Sequence, residues 1–190
     1  MSNNIKSILA DVHSAAPGLL GYKLVHETPE GLTSGVIVET EAYSSDDPAS
    51  HTYRGQTPRN QVMFGPAGYV YVYFTYGIHY CFNVVTGPAG SGQAVLIRAV
   101  EPIDGVELMK QRRGTDNLHQ LTNGPAKLVQ AMGITKTDYG ANLLNGGKLR
   151  LEPGVVPTKI TQTTRVGIKQ ATHQPWRFYI AGNQFVSKPV

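Results

Sequence analysis

The sequence predicts an α+β fold: one mixed domain, residues 1–190, on a curved, mainly antiparallel β-sheet with a protruding β-hairpin and short helices. Three observations predict it. Strand-like runs and short helical patterns follow one another without the strand–helix–strand rhythm of a parallel sheet. Twenty-one glycines and twelve prolines call for many turns and leave little room for long helices. The stretch GYVYVYFTYGIHYCFNVVT, from Gly68 to Thr86, alternates Tyr69, Tyr71 and Tyr73 with Val70 and Val72 before Gly77 and a second strand-like run, which is the pattern of a hairpin.

In chain order, Ile5, Ile8, Leu9 and Val12 recur at helical spacing and predict a short opening helix. GVIVETEAY, Gly35 to Tyr43, reads as a strand, the aromatic hairpin follows, and QAVLIRAVEP, Gln93 to Pro102, reads as a strand stopped by its proline. Asp104 to Arg113 reads as a helix capped by Asp104, followed by a polar loop through Asn123. NGPAKLVQAMGI predicts a second compact helix, with Pro125 in its first turn and Gly133 at its exit. RVGI, Arg165 to Ile168, and WRFYI, Trp176 to Ile180, read as closing strands.

Composition bounds the function. A hydrophobic content of 41% with 16% charged residues fits a globular chain and excludes a disordered one. Seventeen Lys and Arg against thirteen Asp and Glu leave a net charge of +4, a mild push toward polyanionic partners. The single Cys81 excludes an internal disulfide and leaves no Cys pair for a structural zinc site. The opening residues lack the apolar core of a signal peptide and no segment approaches membrane-spanning length, so an intracellular protein without membrane contact is expected.

Three segments within about fifty residues carry the chemistry. Between Tyr69 and Phe82 the chain places seven aromatics in fourteen positions. Rings covering a core explain Tyr69 and Tyr71, but not Tyr76, which stands beside Gly77 where the chain turns. On a regular strand Glu39, Glu41 and Tyr43 share one face, so carboxylates lie beside a ring; the plain alternative is an edge strand whose glutamates face water. SHTYRGQTPRN, Ser50 to Asn60, offers a histidine, a tyrosine, two arginines, two threonines and two amides as donors for phosphate oxygens, or else is simply a solvated loop.

LLGYKL, IVETEAY, SHTYRGQTPRN, the tyrosine hairpin, VLIRAVEP, GPAKLVQAMGI and RVGI, in this order, resemble the alkyladenine (3-methyladenine) DNA glycosylase family over about Leu19 to Tyr179. The resemblance implies a single-domain enzyme that removes damaged purines from double-stranded DNA. Such an enzyme hydrolyses the N-glycosidic bond with water, leaves an abasic site, and needs no metal or redox cofactor. It is expected to act as a monomer associated with DNA, in the cytoplasm or nucleoid of a bacterium or the nucleus of a eukaryote.

By the same resemblance Glu41 is the general base, Arg98 lies near the catalytic water, and the Val166 backbone helps to hold that water. Tyr43 matches one wall against the flipped base, His51 and Tyr73 the other, and Asn83 the residue that crowds the amino group of normal guanine. Tyr76 matches the wedge that enters the minor groove, and Arg54, Thr57 and Arg59 fall in the segment that faces the DNA backbone. The chemistry agrees: a base must leave the duplex before water can reach its glycosidic carbon, and a ring in the gap recovers part of the lost stacking. No lysine lies in the segments assigned to the pocket, so a Schiff-base route that also cuts the backbone is not expected. An O-glycoside hydrolase using Glu39 with Glu41, and a non-catalytic nucleic-acid-binding module, are the alternatives. The preferred lesion among 3-methyladenine, 7-methylguanine, hypoxanthine and ethenoadenine is left open.

Overall fold

The computed structural model describes residues 2–75 and 79–187, so Tyr76 lies outside the described residues. The strands join one curled, antiparallel eight-stranded sheet, with helices α1 (Ser2–Ile8), α2 (Val12–Gly18), α3 (Val106–Arg113) and α4 (Pro125–Met132) packed around it. The strands are β1 (Lys23–Thr28), β2 (Gly31–Tyr43), β3 (Val70–Thr75), β4 (His79–Thr86), β5 (Gln93–Asp104), β6 (Leu149–Glu152), β7 (Ile160–Thr163) and β8 (Arg177–Ile180). Their order is β3-β4-β5-β2-β1-β6, and β8 pairs with both β2 and β7.

The long strand β2 organises this sheet. On one side it pairs with β5 along most of its length; on the other its first half pairs with β1, and Glu39 to Glu41 pair with β8. Register shifts between Ile37 and Glu39 and between Glu39 and Thr40 bend the strand where it changes partner. The glutamates therefore sit mid-sheet, and the edge-strand alternative is excluded.

Alternation divides the hairpin's side chains between two cores. Val70 and Val72 of β3, with Phe82 and Val84 of β4, enter the main core with Val12 and Ala15 of α2, Leu9 and Leu19 at the ends of the N-terminal helices, and Leu128 and Met132 from α4. Tyr71 and Val85 turn to the other face and pack with Met63 and Ala94, and Tyr69 and Tyr73 lean on them. Each fully buried Leu, Val or Phe of this kind contributes about 1.5–3 kcal/mol by leaving water.

Several expectations are corrected by the fold. The opening helix is two helices, because Asp11 interrupts it and accepts from the backbone N–H groups of His13 and Ser14 to cap α2. Strand β5 continues past Pro102 to Asp104; the proline pairs with Gly35 beside a register shift, where a missing N–H is tolerated. Asp104 does not cap α3. Gly105 takes that place, while the Asp104 carboxylate accepts from Ser34 at 2.5 Å and pairs with Lys23 at 2.9 Å. RVGI is a loop, not a strand, and it turns through Gly167 at φ 80°, a left-handed value that favours glycine. Helix α4 begins at Pro125 and ends at Met132 with Gly133 as its C-cap, as expected, and β1, β6 and β7 are strands the sequence reading did not identify.

Candidate active site

Strand register builds the floor of the site. Tyr71 of β3 pairs with Asn83 of β4, Asn83 with Leu96 of β5, and Leu96 with Glu41 of β2, so one transverse row crosses four strands. Side chains two residues along share that face, which adds Tyr73 and Cys81 on the hairpin, Arg98 on β5 and Tyr43 on β2. Residues separated by more than fifty positions in sequence thus meet because four neighbouring strands are in register.

Above this floor opens a pocket of about 490 Å³, within the range of ligand-binding clefts, lined by Tyr43, His51, Tyr73, Asn83, Arg98 and Val166 among others. Glu41 is fully buried against the lining. Its Oε2 accepts from the Tyr43 hydroxyl at 2.9 Å, its Oε1 accepts from the Val166 backbone N–H at 2.7 Å, and Arg98 Nη1 stands 3.3 Å from Oε1. Three donors from three segments hold one carboxylate in one orientation. Burial, followed by the charge of Glu41 and the hydrogen bond to it, pushes the Tyr43 phenol well above its ordinary range, so it stays protonated and donates.

His51 closes the pocket from the loop after β2. Asn60 Nδ2 donates to its backbone carbonyl at 2.8 Å, His51 Nδ1 and the Tyr71 hydroxyl are 2.9 Å apart, and its ring meets that of Tyr73 edge-on at 4.4 Å. Although His51 is exposed on one side, desolvation of its ring against the tyrosines, followed by the Arg59 cation, lowers its pKa below the ordinary histidine value and favours the neutral ring. Burial likewise raises Tyr71 to about 12 and Tyr73 further, so both present neutral rings. Asn83 is held by donating from Nδ2 to the Tyr71 carbonyl at 3.0 Å.

Glu39, two residues before Glu41, occupies a different environment. It is fully buried outside the pocket lining: its Oε1 accepts from Arg98 Nε at 2.9 Å, Arg177 Nε at 2.7 Å and the Ser187 hydroxyl at 2.9 Å, and its Oε2 accepts from the Ser187 N–H at 2.6 Å. Burial alone would raise its pKa; Arg98, the Ser187 N–H and Arg177 outweigh it and leave the carboxyl below its ordinary value. Glu39 and Glu41 are therefore neighbours in sequence with largely different side-chain partners, and Arg98 reaches both.

The structure brings Glu41, Tyr43, His51, Tyr73, Asn83, Arg98 and Val166 to one pocket. The Val166 N–H is aimed at Glu41 itself, a tighter arrangement than the water contact the resemblance implied. Arg59 is exposed, with its guanidinium 5.5 Å from the centroid of the Tyr73 ring and Nη2 donating to the Phe74 carbonyl at 3.0 Å, which ties the loop to the hairpin. Arg54 and Thr57 are exposed on the same loop, and Asn60 Oδ1 fastens the turn by accepting from the Thr57 N–H at 2.6 Å. One exclusion needs correction: the loop that supplies Val166 also carries Lys169 to the pocket, so the lining does contain an amine.

Sequence reasoning missed Asp47, Arg165, Arg177 and Ser187, all tied to the site through side chains. The available signals were weak: an arginine beside an assigned residue, and an aspartate in a polar loop. Among the described residues, no group of three or more His, Cys, Asp or Glu is placed to hold a metal ion, and no helix is long and apolar enough to cross a membrane.

Residues 6–184 match the profile of the methylpurine-DNA glycosylase family. The chain belongs to that family. Relatives bearing a provisional designation as 3-methyladenine DNA glycosylase include one from Methanoculleus marisnigri, 52% identical over 183 residues and covering 94% of each chain. Another, from Carboxydothermus hydrogenoformans, is 50% identical over 180 residues with 94% of each chain covered. A third, from Francisella tularensis, is 49% identical over 191 residues, covering 98% of this chain and 99% of its own. The methylpurine-DNA glycosylase match spans every residue assigned to the pocket, from Tyr43 to Gln170.

Proposed function

We propose that this chain is a monofunctional DNA glycosylase of base-excision repair. In this reading it flips a damaged purine from duplex DNA into the pocket and hydrolyses the N-glycosidic bond with a water activated by Glu41, leaving an abasic site. The observation that carries the reading is the setting of Glu41: a fully buried carboxylate, oriented by Tyr43, Val166 and Arg98, against a pocket walled by neutral aromatic rings.

Each part has a physical task. Tyr43, His51 and Tyr73 stack on the extruded base, worth about 1–3 kcal/mol per base–ring contact and tolerant of different purines. Asn83 crowds the exocyclic amino group of normal guanine. As the sugar–nitrogen bond breaks, positive charge develops on the deoxyribose; Glu41 takes the proton from the attacking water and its charge steadies the sugar. Arg98 fixes Glu41 from below, and the exposed Arg54, Thr57 and Arg59 face the DNA backbone. Tyr76 fills the gap left in the duplex. The protein acts as a monomer.

The alternatives fit less well. Most O-glycosidases flank the bond with two carboxyl groups about 5–10 Å apart, whereas Glu39 is sealed against Arg98, Arg177 and Ser187 and leaves Glu41 alone. A pure binding module has no use for a buried carboxylate at the centre of a surface meant for a polyanion. The test is excision from a panel of duplexes carrying defined lesions, with an undamaged duplex and a free O-glycoside as controls. Release of damaged purines alone is expected; cleavage of the glycoside, or binding without release, would overturn the reading.

A further inference from the structure

Arg165 and Asp47 form a fully buried pair whose guanidinium joins three segments around the pocket. The side chains of both are inaccessible to solvent, and Nη1 and Nη2 of Arg165 donate to the two carboxylate oxygens of Asp47. Nη1 also donates at 3.0 Å to the carbonyl of Ala42, the residue between Glu41 and Tyr43. The guanidinium carbon stands 4.6 Å from the centroid of the Tyr43 ring and 5.0 Å from that of Trp176, and Arg165 Nε, lacking a hydrogen-bond acceptor, is left among these rings. The next residue, Val166, directs its N–H to Glu41 Oε1 at 2.7 Å. On the other side, Asp47 organises the loop toward His51: its Oδ1 accepts from the Ala49 N–H at 3.0 Å and its carbonyl from the Ser50 N–H at 2.9 Å.

We infer that Arg165, braced by Asp47, is a positioning residue for the reaction proposed above, on which this inference rests. It sets the plane of the Tyr43 ring and the aim of the Val166 N–H, and through both the orientation of Glu41. Only a planar guanidinium serves all these contacts. It donates in a fork to Asp47 and to a carbonyl while lying against aromatic rings, and an ammonium, a compact charge with three donors and no flat face, cannot match the fork and lie against the rings together. Asp47 balances the charge, so the cation does not sit unpaired beside the ring against which a base stacks. Such a bracket acts on geometry, and a misplacement of about 1 Å at a reacting centre can lower a rate by about 10²-fold.

The test compares Arg165→Lys and Asp47→Asn with wild type in single-turnover excision, reading rate constant and amplitude separately, alongside thermal melting and affinity for the lesion duplex. Misfolding lowers the amplitude, because fewer molecules act; a positioning defect lowers the rate constant of the molecules that do. The expected result for Arg165→Lys is a rate constant down by about 10²-fold with duplex affinity nearly retained, and a shifted emission of Trp176, the sole tryptophan. Asp47→Asn is expected to follow in the same direction. A wild-type rate constant in the surviving molecules overturns the positioning role, as does loss of folding in both variants. An inactive wild type overturns the proposed function instead, so the two failures are distinguishable.

Discussion

Arg98 is shared between two buried glutamates of β2: its Nε donates to Glu39 Oε1 at 2.9 Å and its Nη1 stands 3.3 Å from Glu41 Oε1. The two carboxylates are therefore coupled through one guanidinium, and the supporting member is as deeply placed as the one at the pocket. On the bare strand, Glu39→Gln is expected to cost little for excision unless it destabilises that strand. The geometry meets that exception, because every donor around Glu39 is aimed at an oxygen.

Glu39→Gln places an NH2 group among the donors from Arg98, Arg177 and Ser187 and removes the charge that balances two arginines. Removing one partner of a buried pair costs about 3–5 kcal/mol, so a drop in melting temperature on the order of 10 °C is expected, together with reduced excision as Arg98 loses its anchor. The pH dependence follows in sign. The folded-state pKa of Glu39 is lowered, so its stabilisation is present above the ordinary carboxylate range and is lost as pH falls through the depressed folded value. Urea midpoints measured from about pH 6 to about pH 3 should fall less steeply for Glu39→Gln than for wild type; parallel curves would show that Glu39 is not a source of the acid sensitivity.

Glu41→Gln keeps the size of the side chain and an oxygen for the Tyr43 hydroxyl or the Val166 N–H, but cannot accept a proton from water. Excision should fall by about 10²–10⁴-fold while lesion-duplex binding survives, because the interaction lost is one made chiefly in the transition state. Arg98 keeps Glu39 as a partner, so the melting temperature should change less than in Glu39→Gln. Single-turnover rates and duplex affinities for both variants check this, and substantial turnover by Glu41→Gln would move the base elsewhere.

Tyr76 lies between the end of β3 at Thr75 and the start of β4 at His79. As a wedge, its replacement by alanine should leave thermal stability intact and weaken capture of the flipped state. A lesion opposite a good pairing partner must be forced out and should suffer most; mispaired or single-stranded lesions are already partly unstacked and should suffer less. Melting curves with excision on all three substrates decide it, since a core tyrosine would lower stability and slow every substrate alike.

How much of this was legible in the chain depends on the range over which each feature is set. The hairpin's division into Val70 and Val72 on one face and Tyr71 and Tyr73 on the other is a local property of extended backbone. The same two-residue repeat put Glu41 beside Tyr43, and the structure closes that adjacency with a 2.9 Å hydrogen bond. Helix α4 was bounded by Pro125 and Gly133 because one fits a first helical turn and the other accepts φ 67° at the exit. The short strands β6 and β7, with four residues each, carry too little periodicity to be seen.

The sequence by itself determined the sheet-forming alternation, the ends of α4, the pocket's aromatic and carboxylate residues and, through its motifs, the family. The resemblance had already singled out Glu41; the tertiary structure alone decided how Glu39, two residues away, is locked among Arg98, Arg177 and Ser187. Alternation puts Glu39 and Glu41 on one face, and only the bend of β2, the partners brought by β8 and the return of the chain at Ser187 separate their environments. It alone decided, too, that Arg165, expected on a strand, is buried in a loop and paired across 118 residues with Asp47. Backbone periodicity is written within a few residues, whereas a buried ion pair forms only when the folded sheet brings distant loops together and excludes the water that would otherwise solvate both charges.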